Sequence, residues 1–273
     1  MPNNWNVGSG FTNNGSVGFG GSINGVTQGI YEESSTQLAP LGALLDFDDG
    51  RRFRYTKSAA GITIGNLCSH DYSDGLLAEL DSTTTVSATA GNREFAITGS
   101  GSQSSSTSGI YAGSYIVFTD GTGAGQYYRI KDHTDASSDK ITFQLYDKLI
   151  TAPVAATGIM IVGGRYGAVI TNDRTANSGA GAADDDMRPM GVNLLAITSG
   201  YYFWMQTRGI CSVQADLGDT AAPSYGMEMV ASGNHAGLVE MKLDADDGHP
   251  VVGINASPTG DDNEYIAIDL VLE

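Results

Sequence analysis

Residues 200–214, GYYFWMQTRGICSVQ, form the most apolar and aromatic run of the chain and restrict its fold more than any other stretch. On an extended backbone Tyr201, Phe203, Met205 and Thr207 point one way while Tyr202, Trp204 and Gln206 point the other, so both faces carry large side chains. A strand with one face in water alternates apolar with polar, whereas a run that is apolar on both faces is covered on both. Two arrangements meet that requirement: a central strand inside a domain, or a strand whose second face meets another chain.

The rest of the chain offers little for helices. Its 273 residues include 37 Gly against 7 Pro, with abundant Ser, Thr and Asn, a composition that suits short strands joined by tight turns. An all-β fold of short-stranded sandwich or barrel domains is therefore expected. With 31 acidic and 14 basic residues the formal charge is −17. Such a chain repels a phosphate backbone and an anionic bilayer alike, so neither nucleic acid nor membrane is an expected partner. No apolar run approaches the roughly 20 residues of a membrane span. The start, MPNNWNVGSG, has neither a basic segment nor an apolar core, so no secretory signal is expected. Cys68 and Cys211, each beside apolar residues, are expected to be buried free thiols rather than a disulfide.

Four segments follow from the pattern. Residues 1–36 are rich in Gly, Asn and Ser, with isolated aromatics at Trp5, Phe11, Phe19 and Tyr31. They read as an extended arm whose aromatics anchor it to a partner, against the plainer alternative of a solvated tail. Residues 37–82 read as a hairpin segment and connector of the main domain. Asp49-Gly50 supplies the turn, followed by a strand with Phe53 and Tyr55 on one face and Arg52 and Arg54 on the other. The arginines are expected either as solvated edge residues or as pairs across a subunit contact. Ile62, Ile64 and Leu67 suggest a second strand, and residues 74–81, DGLLAELD, a short helix. Residues 83–157 read as an inserted small β-domain, with strands near 94–98, 115–118, 126–131 and 140–145. Residues 158–273 form a carboxy-terminal β-domain that closes on a cleanly alternating strand, with Ile266, Ile268, Leu270 and Leu272 inward.

Motifs that carry chemistry are incomplete. DFDDG at 46–50 and DADDG at 244–248 resemble the opening of a calcium loop but lack its alternating spacing and closing Glu. GTGAG at 121–125 lacks the Lys-Ser/Thr of a phosphate loop, and His70, His133, His235 and His249 lack the short spacing of metal pairs. No catalytic residue, cofactor or metal ligand is expected.

A resemblance rests on the order of several segments: D-G-R-R-F-R-Y at 49–55, G-I-T-I-G at 61–65, G-Y-Y-F-W-M-Q-T-R-G at 200–209, Gly237-Leu238-Val239, P-V-V-G-I-N at 250–255 and the closing E-Y-I-A-I-D-L-V-L-E. This order is similar to that of the head decoration, or cement, proteins of tailed bacteriophages, and it covers about half the chain. The resemblance implies a non-enzymatic virion protein, made in the host cytoplasm, that binds the outer surface of an assembled capsid. It further implies a homotrimer that clamps neighbouring major capsid subunits. Contacts to that partner, or between copies, are expected from Trp5, Phe11, Phe19, Tyr31, Arg52, Arg54, Tyr202 and Trp204. The alternatives are a tail-fibre or receptor-binding subunit and, in another class, a glycan-cleaving spike enzyme, which would need a carboxylate pair in a groove.

Overall fold

The computed structural model describes residues 28–70, 78–80, 85–98, 111–134, 140–154, 157–162, 164–173, 188–217, 224–243, 250–258 and 263–273. Trp5, Phe11, Phe19 and the Asp-rich turn at 244–248 lie outside them. The regular structure of the described residues is all β, and the chain divides into two units, residues 1–70 with 168–273, and residues 71–167.

The first unit opens with β1 (Leu44–Asp46), β2 (Arg52–Lys57) and β3 (Leu67–His70). The inserted unit holds β4 (Ala78–Leu80), β5 (Thr85–Ala88), β6 (Glu94–Thr98), β7 (Tyr115–Phe118), β8 (Tyr127–His133), β9 (Lys140–Leu145) and β10 (Ile159–Val162). The first unit resumes with β11 (Val169–Thr171), β12 (Pro189–Asn193), β13 (Tyr202–Gln214) and β14 (Glu228–Ala231). It ends with β15 (Val239–Met241), β16 (Gly253–Asn255) and β17 (Tyr265–Val271). Each unit is built on one curled antiparallel sheet, of ten strands in the first and seven in the second.

The long strand β13 is the hub of the first sheet. Trp204 is paired with Tyr55 of β2, Gln206 with Val192 of β12, and Cys211 with Ile268 of β17. Residues 203–207 are all buried, whereas beyond them Cys211 and Val213 are buried and Arg208, Ile210 and Ser212 are exposed. The strand thus changes from two-sided to one-sided burial along its length. The change falls at a bulge, where Thr207 is skipped between the pairs Gln206↔Phe53 and Arg208↔Arg52. The Gln206 side-chain amide holds the bend by donating to the carbonyls of Arg208, Gly209 and Ile210 (3.0, 3.2 and 2.9 Å).

Both faces of the aromatic half are covered by the chain itself. Trp204 is fully buried in a cluster with Ile30, Ala39, Leu45, Phe53 and Tyr55, so the aromatic strand gives no reason to invoke a second copy. Gln28, Gly29 and Ile30, expected as part of an arm, are buried against this core. The Gln28 side chain accepts from the Tyr55 hydroxyl (2.7 Å) and donates to the Tyr202 carbonyl (2.8 Å), and its own carbonyl accepts from Trp204 Nε1 (3.1 Å). Hydrogen bonds of one polar side chain, invisible to hydrophobic periodicity, decide this.

The hairpin at Asp49-Gly50 forms, with Asp46 opposite Arg52 and Gly50 at a φ of 89°. Its second strand is not an edge, because β2 lies between β1 and β13. The strand expected around Ile62, Ile64 and Leu67 starts only at Leu67, and Ile62 makes an isolated bridge to Ile197. Cys68 and Cys211 are free and buried. Burial pushes the Cys68 thiol up to about 12 and the Cys211 thiol also upward, so both stay protonated at neutral pH.

The inserted unit is wider than expected. Ile159–Val162, read with the carboxy-terminal domain, pairs here with β4 and β7. Residues 78–80, inside the expected helix, form a strand with Leu80 opposite Ile159. The leucine spacing of so short a run satisfies either period, and the available sheet edge decides it. Phe95, Phe118 and Phe143 fill the core, with Phe95 6.2 Å from Phe118 and 5.6 Å from Phe143 between ring centroids.

Candidate functional site

The one-sided half of β13 and the facing strand β17 direct a set of side chains outward. Ile210 and Tyr265 are 53 and 49 % exposed, on a face that strand alternation would otherwise give to polar residues. Together with Tyr31, Ile64 and Leu194 they line a groove of about 730 Å³, whose polar lining includes Arg51, Gln206 and Ser212. The volume falls in the range of about 300–1,000 Å³ typical of binding clefts.

Gly65 shapes the wall of this groove. Its φ is 70°, and a Cβ added there would lie 2.6 Å from Cε1 of Tyr265. The Tyr265 ring lies against the glycine and its hydroxyl donates to the Ile64 carbonyl (3.1 Å). The Gly65 N–H donates to the Asn193 carbonyl, and its carbonyl accepts from the Gln214 N–H, both at 3.0 Å. Gly65→Ala is therefore expected to cost about 1–3 kcal/mol and to push the Tyr265 ring off the wall. The measurements are the thermal midpoint and the nuclear magnetic resonance shifts of the Tyr265 ring, and a variant unchanged in both would contradict this account.

Such a surface can bind an apolar segment, and its charged groups are already engaged. Arg51 donates to Asp49 (2.8 Å) and lies over the Phe47 ring, 4.9 Å from its centroid. A Ser-Asp-His cluster elsewhere in the unit looks at first like a nucleophilic site. Ser232 Oγ donates to Asp216 Oδ2, and His235 Nδ1 lies 3.1 Å from the same oxygen. The carboxylate thus stands between hydroxyl and imidazole, the wrong order for a base to take the serine proton. Ser232 is buried and accepts the N–H groups of Asn234 and His235, so the cluster caps a turn. Among the described residues no group of three or more His, Cys, Asp or Glu is placed to hold a metal.

The contact residues expected from the sequence are dispersed by the fold. Tyr31, 66 % exposed, lines the groove. Arg52 is bound to Asp46 (2.7 Å) and Arg54 to Glu273 (2.8 Å), both within the chain. Tyr202 stacks on Tyr55 with centroids 6.0 Å apart, and Trp204, wholly enclosed, has no surface left for a partner. Ile64, Leu194, Ile210 and Tyr265 are not among the contact residues expected from the sequence. The readable signal was Ile210, an apolar residue in register with exposed Arg208 and Ser212. Searches of family models, curated proteins and solved structures return no match to this chain.

Proposed function

We propose that this chain is a non-enzymatic virion structural protein that binds the outer surface of an assembled phage capsid and stabilises it by clamping neighbouring major capsid subunits. The observation that carries this reading is the exposed apolar groove, because half of its lining residues lie in segments that resemble capsid-decorating proteins. Gly65 and Ile64 belong to G-I-T-I-G, Gln206 to the aromatic strand, and Tyr265 and Ala267 to the closing strand. A groove of apolar side chains with polar groups around it suits a protruding segment of a capsid subunit.

As a homotrimer the protein would present this groove three times. Each further contact to a neighbouring subunit then forms at high effective concentration, so modest single contacts add to tight attachment. Binding the assembled arrangement in preference to separated subunits stabilises the shell by linkage, as a ligand stabilises a native protein.

The test uses virus particles stripped of this protein and complete particles. Stripped particles are expected to release their genome at lower temperature, and adding the protein back to restore the difference. Ile210→Asp, a change at an exposed position, should abolish the restoration without altering the protein's own melting. Equal release temperatures, with adsorption to cells lost instead, would replace this reading by that of a receptor-binding subunit.

A further inference from the structure

The outer face of the inserted unit has a different chemistry from the groove of the first. On β8, Tyr128, Ile130 and His133 are buried, which turns Tyr127, Arg129 and Lys131 outward. Tyr115 of β7 is the direct partner of Arg129, so the two share a face. The Tyr115 ring lies 6.3 Å from that of Tyr127. On the other side of Arg129, the Tyr146 N–H donates to its carbonyl (3.1 Å), and its guanidinium lies over the Tyr146 ring, 5.1 Å from the centroid. Tyr127 and Tyr146 are 68 and 45 % exposed.

Next to Tyr146 the surface dips into a hollow of about 490 Å³ lined by Asn92, Arg93, Glu94, Lys131 and Gln144. Glu94 and Gln144 are direct partners across β6 and β9. All five side chains are exposed. Neither Arg93 nor Lys131 has an ion-pair partner among the described residues. Arg93, Lys131 and the Arg129 guanidinium over Tyr146 outnumber Glu94 and the exposed Asp132, the direct partner of Gln144, so this surface is positive by one charge in a chain of net charge −17.

We infer that this face binds an acidic oligosaccharide, with sugar rings laid on Tyr127 and Tyr146 and their anionic groups held by Arg93 and Lys131. A pyranose ring presents C–H groups on its faces and hydroxyls around its rim. Exposed tyrosine rings match the faces, and the amides of Asn92 and Gln144, which both donate and accept, match the rim. The anionic groups select this hollow by charge, the rest of the acidic chain repelling them. A protein partner fits less well, because lysine and glutamate are depleted at the centre of a protein interface and here Lys131 and Glu94 lie beside the exposed Tyr146 ring. So small a local excess of positive charge on so acidic a chain is also too little to gather a nucleic acid. The inference does not depend on capsid attachment, which uses the other unit.

The experiment is calorimetric titration of the full chain with a galacturonic acid oligomer, a heparin-derived oligosaccharide, a neutral maltose oligomer of equal length and a glutamate peptide of equal charge. At least one acidic sugar is expected to bind, the maltose oligomer at least about tenfold more weakly, and the peptide not at all. Tyr146→Ala and Lys131→Gln should each weaken the acidic sugar by about tenfold, and both positions are exposed, so an unchanged melting curve confirms that the variants fold. Binding of the glutamate peptide as tightly as the sugar, or unaltered sugar binding by Tyr146→Ala, would mark an unselective cationic patch and overturn the proposal. Failure of both acidic sugars to bind would overturn it as well.

Discussion

Replacing Trp204 with alanine is expected to lower the stability of the first unit by about 3–5 kcal/mol, the usual penalty for emptying a core position of an aromatic ring. The indole is fully enclosed and meets Tyr55 edge-on, with centroids 5.0 Å apart and planes at 64°. Its loss also leaves the Gln28 carbonyl without the donor it has at 3.1 Å, which adds to the cavity term. Trp204→Phe keeps much of the packing but loses that donor and the volume of the second ring, so a smaller loss of about 1–2 kcal/mol is expected. Urea midpoints followed by circular dichroism measure both. An alanine variant that unfolds at the wild-type midpoint would show that the indole does not hold the core.

Asn193→Ala is expected to cost a similar amount through hydrogen bonds rather than packing. Asn193 is completely buried. Its Oδ1 accepts the N–H of Asn66 (2.9 Å), and its Nδ2 donates to the carbonyls of Thr63 (2.7 Å) and Leu195 (2.6 Å). Alanine takes one partner from each of these three main-chain groups, at about 0.5–1.5 kcal/mol per hydrogen bond, and the Asn66 N–H keeps a longer bond to the Thr63 carbonyl (3.3 Å). The sum is about 2–4 kcal/mol on that scale. The same bonds fasten residues 63–66 to the end of β12, so the Ile64 wall of the groove should loosen too. Asn193→Asp keeps the acceptor but turns a carboxylate oxygen toward two carbonyls, and no rescue is expected from it. Hydrogen exchange reads the effect directly: the Asn66 amide, left with its longer bond to the Thr63 carbonyl (3.3 Å), should lose part of its protection in the alanine variant, and wild-type protection would refute the role given to Asn193.

What could be read beforehand was what a single strand contains. The closing strand buries Ile266, Ile268 and Leu270 and exposes Tyr265, Asp269 and Val271, as its alternation implies. The run around Trp204 is covered on both faces, as its composition demands. Pairing partners were not legible, because four apolar residues such as Ile159–Val162 fit the edge of either sheet and local pattern does not choose. Nor was the groove. Ile210 is apolar on a polar face, a signal the sequence reading does not use, and its meeting with Ile64 and Tyr265 depends on the left-handed turn at Gly65 and on contacts across more than a hundred residues. Trp204 was legible as a large buried ring but not as one wholly enclosed by its own chain, since that closure comes from residues 28–39, where hydrogen bonds outweigh hydrophobic spacing.

The chain leaves the first unit after His70 and returns at Ala168, and His70 and Val169 face one another as direct partners of β3 and β11. Departure and return thus occupy neighbouring rungs of one ladder, which a tight hairpin would close equally well. Because the entropy of closing a loop rises only by about 0.6 kcal/mol for each doubling of its length, the host sheet is nearly indifferent to the size of its cargo. The inserted unit is in this sense an exchangeable cassette: the host could carry a different recognition module, or none, with its own sheet unchanged.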